Sequence, residues 1–242
     1  MLNKVRMVGS YVRQALGHCG PKTRTQMLEL ASFYAEWLNS NCSTTRSPLT
    51  DGEPWITISA LQFIREQDLS TETVFEWGSG GSTIFLAEHA RTVVTIEHNS
   101  EWLSKVHNAI KARNIDNVEL EYIPPRVLNF PRPRDAADPL DYASADQSYG
   151  NYEFSEYANA ITKRNKGQFA LVCIDGRARP SCLLRAVDHV MPRGFLLLDN
   201  SERQYYTQVL PSGMRNWLRH DFYGPLKYTR TFGCTTIWQR PA

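Results

Sequence analysis

Downstream of residue 73 the apolar positions fall into short runs separated by helical patterns. Val74-Phe75 and residues 92–96 are compact apolar segments. Residues 117–123 alternate Val118, Leu120 and Tyr122 with Glu119 and Glu121, the period-2 signature of a strand. Phe169–Ile174 and residues 195–198 are apolar without interruption, as strands covered on both faces are. Between them, residues 84–87, 102–110, 152–164 and 183–190 space their apolar side chains as helices do. A further helix is expected over roughly 204–218, interrupted at Pro211-Ser212-Gly213, followed by strand-like runs near 222–231 and 234–238. Five strands alternating with helices predict an α/β fold: a doubly wound, mostly parallel sheet with a terminal antiparallel hairpin.

Upstream the pattern is helical. Leu2, Val5, Val8, Val12 and Leu16 recur at helix spacing and predict a helix that packs on the domain. His18-Cys19-Gly20-Pro21 should break it, and a second helix carries Met27, Leu28, Leu30, Ala31, Tyr34 and Leu38. Residues 39–54 read as a polar loop, and 55–67 as a helix with Ile58, Leu61, Phe63 and Ile64 inward. The chain thus divides into N-terminal helices, 1–70, and an α/β domain, 71–242. Residues 124–151 form an insertion in that domain. Its prolines (Pro131, Pro133, Pro139) oppose regular structure, and Tyr142 and Tyr149 suit a lid.

Composition narrows the function classes. A net charge of +2 is too small an imbalance to predict a nucleic-acid partner. No apolar run is long enough for a membrane span, and the N-terminus lacks an apolar signal core, so a cytoplasmic location is expected. Five scattered cysteines with no C-x-x-C pair, and six histidines without ligand spacing, give no zinc site. Cys173 reads as a buried strand thiol.

The chemistry concentrates at 73–100, where a strand, a glycine turn, a helix and a second strand follow one another. Ser82 and Thr83 can cap the helix. Glycines allow sharp turns and close ligand approach, and the helix start offers free N–H groups. A nucleotide-triphosphate loop would need Lys after its last glycine, and Ser82-Thr83-Ile84 has none. A dinucleotide fingerprint would need glycine where Thr83 stands, although Glu97 would suit ribose hydroxyls in either a dinucleotide or another adenosine ligand.

The pattern E-x-G-x-G-x-S from Glu76 to Ser82, followed by strand-final Glu97, resembles motif I and the next acidic strand end of class I S-adenosylmethionine-dependent methyltransferases. The resemblance spans roughly residue 74 to the C-terminus. It implies that Glu76, Gly78, Ser79, Gly80, Gly81, Ser82 and Thr83 hold the methionine part of the cofactor. By the same resemblance Glu97 holds the ribose, with His98 flanking the adenosine. Two other readings stand beside it: an NAD-dependent oxidoreductase on a similar scaffold, and a non-catalytic protein that binds S-adenosylmethionine.

Four strand ends carry carboxylates: Glu76, Glu97, Asp175 and Asp199. Asp175 with Asp199-Asn200 resembles the metal triad of catechol- and caffeoyl-coenzyme-A-type O-methyltransferases, which implies Mg²⁺ or Mn²⁺ on Asp175, Asp199 and Asn200. Ala178 stands where those enzymes carry a lysine. Without a metal, Asp175 or Asp199 would serve as a general base or anchor. Arg177, Arg179 and Arg203 follow the two aspartates and suit an anionic group on a small-molecule acceptor methylated at oxygen. His220-Asp221 is a further candidate pair.

Overall fold

The computed structural model describes residues 2–17, 24–130 and 132–242. The expected break at residues 18–21 lies outside the described residues. Helices α1 (Leu2–Gly17), α2 (Arg24–Ser32), α3 (Tyr34–Cys42), α4 (Pro48–Asp51) and α5 (Ile58–Arg65) precede strand β1 (Thr73–Trp77). Then come α6 (Gly81–His89), β2 (Thr92–Glu97), α7 (Ser100–Ala112), β3 (Val118–Tyr122), β4 (Arg126–Val127) and β5 (Tyr152–Glu153). The chain ends with α8 (Ser155–Ala158), β6 (Phe169–Ile174), α9 (Arg179–Ala186), β7 (Val190–Asp199), β8 (Leu218–Pro225) and β9 (Phe232–Gln239).

Seven strands form one sheet in the order β3-β2-β1-β6-β7-β9-β8, with β4 and β5 paired separately. β9 alone in that sheet runs against its neighbours β7 and β8. The strand order reverses between β1 and β6, so the cleft beyond their carboxyl ends is where a ligand fits. β1 and β6 are buried along their whole length, and successive residues feed opposite faces. Phe75, Trp77, Val172 and Leu196 join one core with Phe154, Tyr157 and Leu183. Val74, Leu171 and Leu197 join the other with Phe85, Leu61 and Ile237.

Several local expectations need correction. The inward face of α1 is Met7, Tyr11 and Ala15, which pack with Phe33 and Trp37, while Val8, Val12 and Leu16 are exposed. The helix expected around 27–38 is two helices, broken where the Ser32 hydroxyl donates back to the Glu29 carbonyl. The polar loop contains α4, capped by reciprocal bonds between Ser47 and Thr50 and stopped by Gly52 at φ +67. Residues 152–164 hold β5, a single turn of α-helix and a 3₁₀ segment (Asn159–Lys163), because Phe154 is drawn into the core and its N–H bonds the Tyr142 carbonyl. The helix expected over 204–218 is two 3₁₀ turns, Gln204–Tyr206 and Ser212–Met214. Pro211 lacks the N–H that a continuous helix needs there.

The N-terminal helices hold the β8–β9 turn. Trp37 donates to the Thr229 carbonyl, while Gln14 bonds the Arg230 carbonyl and the Phe232 N–H. The buried Lys227 ammonium pairs with Glu36 and Glu53.

Candidate functional site

The glycine turn after β1 is fixed by three different constraints. Gly78 has φ +94, and a Cβ there would stand 2.8 Å from the Gly176 nitrogen at the exit of β6. Gly81 starts α6 against α4, where a Cβ would meet the Pro48 and Glu53 carbonyl oxygens at 2.2 and 2.3 Å. Gly80 differs from both. Its φ of 170 is extended backbone, and a Cβ would touch nothing closer than 4.0 Å. Packing therefore dictates Gly78 and Gly81, whereas Gly80 borders open space.

Glu76 lies wholly buried beneath this turn. Its Oε2 accepts from the Thr83 and Thr95 hydroxyls at 2.6 and 2.8 Å, and Thr83 in turn accepts the Gly80 N–H at 2.9 Å. Thr83 thus locks the turn onto the carboxyl, and the expected cap by Ser82 or Thr83 is in fact this bridge at a helix that begins at Gly81. Glu76 Oε1 has no partner, and burial pushes the carboxyl up to about 7.

Glu97 is as deeply placed but electrostatically opposite. Its Oε2 accepts from the Ser79 N–H and hydroxyl, and its Oε1 from the His98 and Asn99 N–H groups, at 2.8 to 3.1 Å. Burial opposes its charge, yet these bonds and the His98 ring at 2.9 Å outweigh burial and hold the pKa below its ordinary value. His98 Nε2 meets the Tyr149 hydroxyl at 3.1 Å, which brings the 124–151 insertion to the cleft. Trp102 donates to the Ser79 carbonyl at 2.7 Å and lines the same space. The result is a cleft of about 360 Å³ bordered by Gly78–Ser82, Glu97, His98, Trp102, Tyr149, Asp175 and Arg177.

Around the ends of β6 and β7 the arrangement changes. The Arg179 guanidinium is buried and donates to the carbonyls of Gly176, Asp175 and Asp199 and to Asp175 Oδ1, the last at 2.9 Å. It ties two strand ends together, so the expected substrate arginine is a structural clasp. Asp199 Oδ1 accepts from Thr235 at 2.7 Å, its direct partner across β7 and β9. Burial and the nearby Asp175 charge push Asp199 up to about 7, and burial raises Asp175 despite Arg179 and Arg177. A cavity of about 410 Å³ opens here, bordered by Trp55, Asp175, Asp199, Asn200, Arg203 and Phe232. Trp55 and Asp175 belong to both cavities, which are therefore neighbours.

The donor set does not fit the Mg²⁺ or Mn²⁺ expected on Asp175, Asp199 and Asn200. A fixed guanidinium already holds one carboxylate and both strand ends, and a divalent ion would stand against that buried charge. His220 and Asp221 are not a pair either. Neighbours on a strand face opposite ways, His220 stacking on Phe222 while Asp221 accepts from Thr236.

Reasoning from the sequence missed Pro48, Trp55, Trp102, Thr95 and Thr235. Trp102 had a usable signal, three residues past the Asn99 cap that follows Glu97. Thr95 and Thr235 had none, because strand register alone brings them to Glu76 and Asp199.

No family model and no curated protein sequence matches the chain. Solved structures do. An O-methyltransferase from Bacillus cereus, in complex with SAH, is 16% identical over 96% of each chain with a TM-score of 0.53. A Klebsiella pneumoniae protein proposed to be an O-methyltransferase is 15% identical, covering 97% of this chain and 96% of that one, at 0.52. A Clostridium thermocellum protein proposed to be an rRNA methylase is 12% identical, over 75% and 94%, at 0.50. The chain has the class I methyltransferase-like α/β fold.

Proposed function

We propose that the protein is an S-adenosylmethionine-dependent methyltransferase acting on a small molecule at oxygen. The observation that carries this reading is the charge of the glycine-turn cleft. Its walls are loop backbone, aromatic rings and the carboxylates of Glu97 and Asp175, and Arg177, the lone guanidinium among them, is already paired with Asp146. An acidic cleft suits a ligand with sulfonium and ammonium charges and repels a pyrophosphate, which weighs against NAD. The Bacillus cereus structure with SAH has the same fold.

Bound there, S-adenosylmethionine supplies an electrophilic methyl group. Glu97 Oε2, now holding the Ser79 hydroxyl, is the acceptor for ribose hydroxyls; Gly80 gives backbone access, and Trp102, His98 and Tyr149 border the adenine. Asp199 takes the proton of the acceptor hydroxyl, since a carboxyl titrating near 7 is matched to that task. Asp175 and Arg179 hold the two strand ends that frame it. Cavities of a few hundred Å³ suit a small acceptor better than a nucleic acid, as does the +2 net charge. In this reading 71–242 is the catalytic domain, 124–151 covers the cleft through Tyr149, and 1–70 contributes Pro48 and Trp55. Among the described residues no helix is long and apolar enough to cross a membrane.

Calorimetry with S-adenosylmethionine, SAH and NAD⁺ tests the assignment. Binding of the first two and not the third is expected. NAD⁺ binding alone, or no binding of any, overturns it.

A further inference from the structure

A third cavity adjoins the other two and is unused by the reading above. It encloses about 340 Å³ between residues 143–146 of the insertion and the arginines that follow β6 and β7. Arg177 and Arg179 on its wall already have acidic partners, Asp146 at 3.2 Å and Asp175 at 2.9 Å. Arg203 has none among the described residues. Its guanidinium lies over the Tyr206 ring, donates to that hydroxyl at 3.1 Å and also bonds Tyr205, which positions it at the cavity wall with neutral partners only. Arg177 Nε is buried without a hydrogen-bond partner. Asp146 on the wall and Asp175 beside it pair two of its arginines, and Arg203 has no ion-pair partner among the described residues. An aromatic-flanked guanidinium without a counter-ion on a cavity wall suits an oxyanion.

We infer that this cavity is an anion subsite, which receives a phosphate or carboxylate group of the acceptor while the acceptor's hydroxyl lies in the neighbouring Asp199 cavity. Arg179 and Arg203 border both cavities, so one extended molecule can occupy the two. The substrate class is then a hydroxyl compound with an acidic group some way from the methylated oxygen. The identity of the reacting group rests on the methyltransferase reading; the anion site itself does not.

The test needs no acceptor. Inorganic phosphate and acetate are titrated separately into the full chain in chloride buffer, followed by ³¹P line broadening and calorimetry, with SAH binding measured in parallel. Wild type should bind at least one anion with a millimolar constant, and Arg203→Gln should weaken it by about tenfold while leaving the SAH constant unchanged. Arg215→Gln, an exposed arginine elsewhere, should change neither. Saturating SAH should leave anion binding in place, because the cavities are separate. Preference for phosphate or for acetate assigns a phosphoryl or a carboxylate group. Equal anion binding in wild type and Arg203→Gln, binding of neither anion to wild type, or displacement of the anion by SAH overturns the subsite. Failure of wild type to bind SAH would overturn the cofactor reading and leave the anion result standing.

Discussion

At the ends of β1 and β2, Glu76 and Glu97 sit among nearby donors, the Thr83 and Thr95 hydroxyls for one and the Ser79, His98 and Asn99 amides for the other. At the ends of β6 and β7, Asp175 and Asp199 lie near each other, and one buried guanidinium clasps the main chain beneath them. Glu97 is preorganised, its charge settled by local hydrogen bonds, while Glu76 lies sealed beneath the turn with one oxygen unpartnered and its carboxyl pushed up to about 7 by burial. In the second pair, burial and mutual repulsion hold a proton that ordinary aspartates would release. A satisfied carboxylate such as Glu97 suits holding a constant cofactor, and Asp199, which titrates near neutrality and borders a cavity, suits proton transfer. The sheet places both at its switch point, so a single fold supplies two different electrostatic environments.

The sharpest way to break that comparison is to neutralise the strained half. Asp199→Asn should lower turnover by on the order of 10²- to 10⁴-fold while S-adenosylmethionine binding stays unchanged. In wild type, the rate should rise with pH and level off above about 7, where Asp199 is ionised. Stability should move the other way. A carboxyl whose folded pKa is raised contributes stability fully below its unfolded pKa and loses it as pH rises through about 7. Thermal unfolding at pH 8 should therefore show Asp199→Asn more stable than wild type. A variant that keeps full activity, or is less stable at pH 8, would remove Asp199 from this role.

Glu97 should behave differently. Glu97→Ala removes the acceptor offered to the ribose and strips four hydrogen bonds from the loop. Cofactor binding should weaken by about 30- to 100-fold, about 2–3 kcal/mol, and the melting temperature should fall rather than rise. An unchanged dissociation constant in the folded variant would take Glu97 out of the site.

A finer distinction lies within the glycine turn itself. Gly80→Ala adds a methyl group that the protein has room for and a ligand does not, so SAH binding should drop by about tenfold with an unchanged melting temperature. Gly81→Ala should instead destabilise the fold, because the Pro48 and Glu53 carbonyls leave no space. If Gly80→Ala binds SAH normally, the cleft is not used along that wall.

These contrasts also mark how far the sequence could be read. The five parallel strands were legible because four are short apolar runs ended by a carboxylate or a turn, and β3 alternates Val118, Leu120 and Tyr122 with glutamates. The glycine turn and Glu97 were legible because their spacing is local. Lost were the features that depend on distant partners. Arg179 looks like any surface arginine until the strand ends converge on it, and Thr235 reaches Asp199 only through the register of β9. The face of α1 was misassigned because Val8, Val12 and Leu16 keep perfect helical spacing while Tyr11 and Met7 bury more surface.

The smallest expected effect is the one that decides what the strained half does without. A buried aspartate, a half-buried one and an asparagine beside a cavity would suit a divalent ion if their charge had no other compensation. Here Arg179 supplies it, held by three carbonyls and one carboxylate oxygen. Displacing that guanidinium would leave a buried cation unpaired, at a cost of several kcal/mol, before any ion could coordinate Asp175. Once an acceptor is in hand, EDTA should therefore leave turnover unchanged, and added Mg²⁺ or Mn²⁺ should not raise it. Abolition by EDTA with rescue by Mg²⁺ would mean that Arg179 swings out of the clasp during turnover. The two halves of the rim would then differ in what they bind rather than in how they are built.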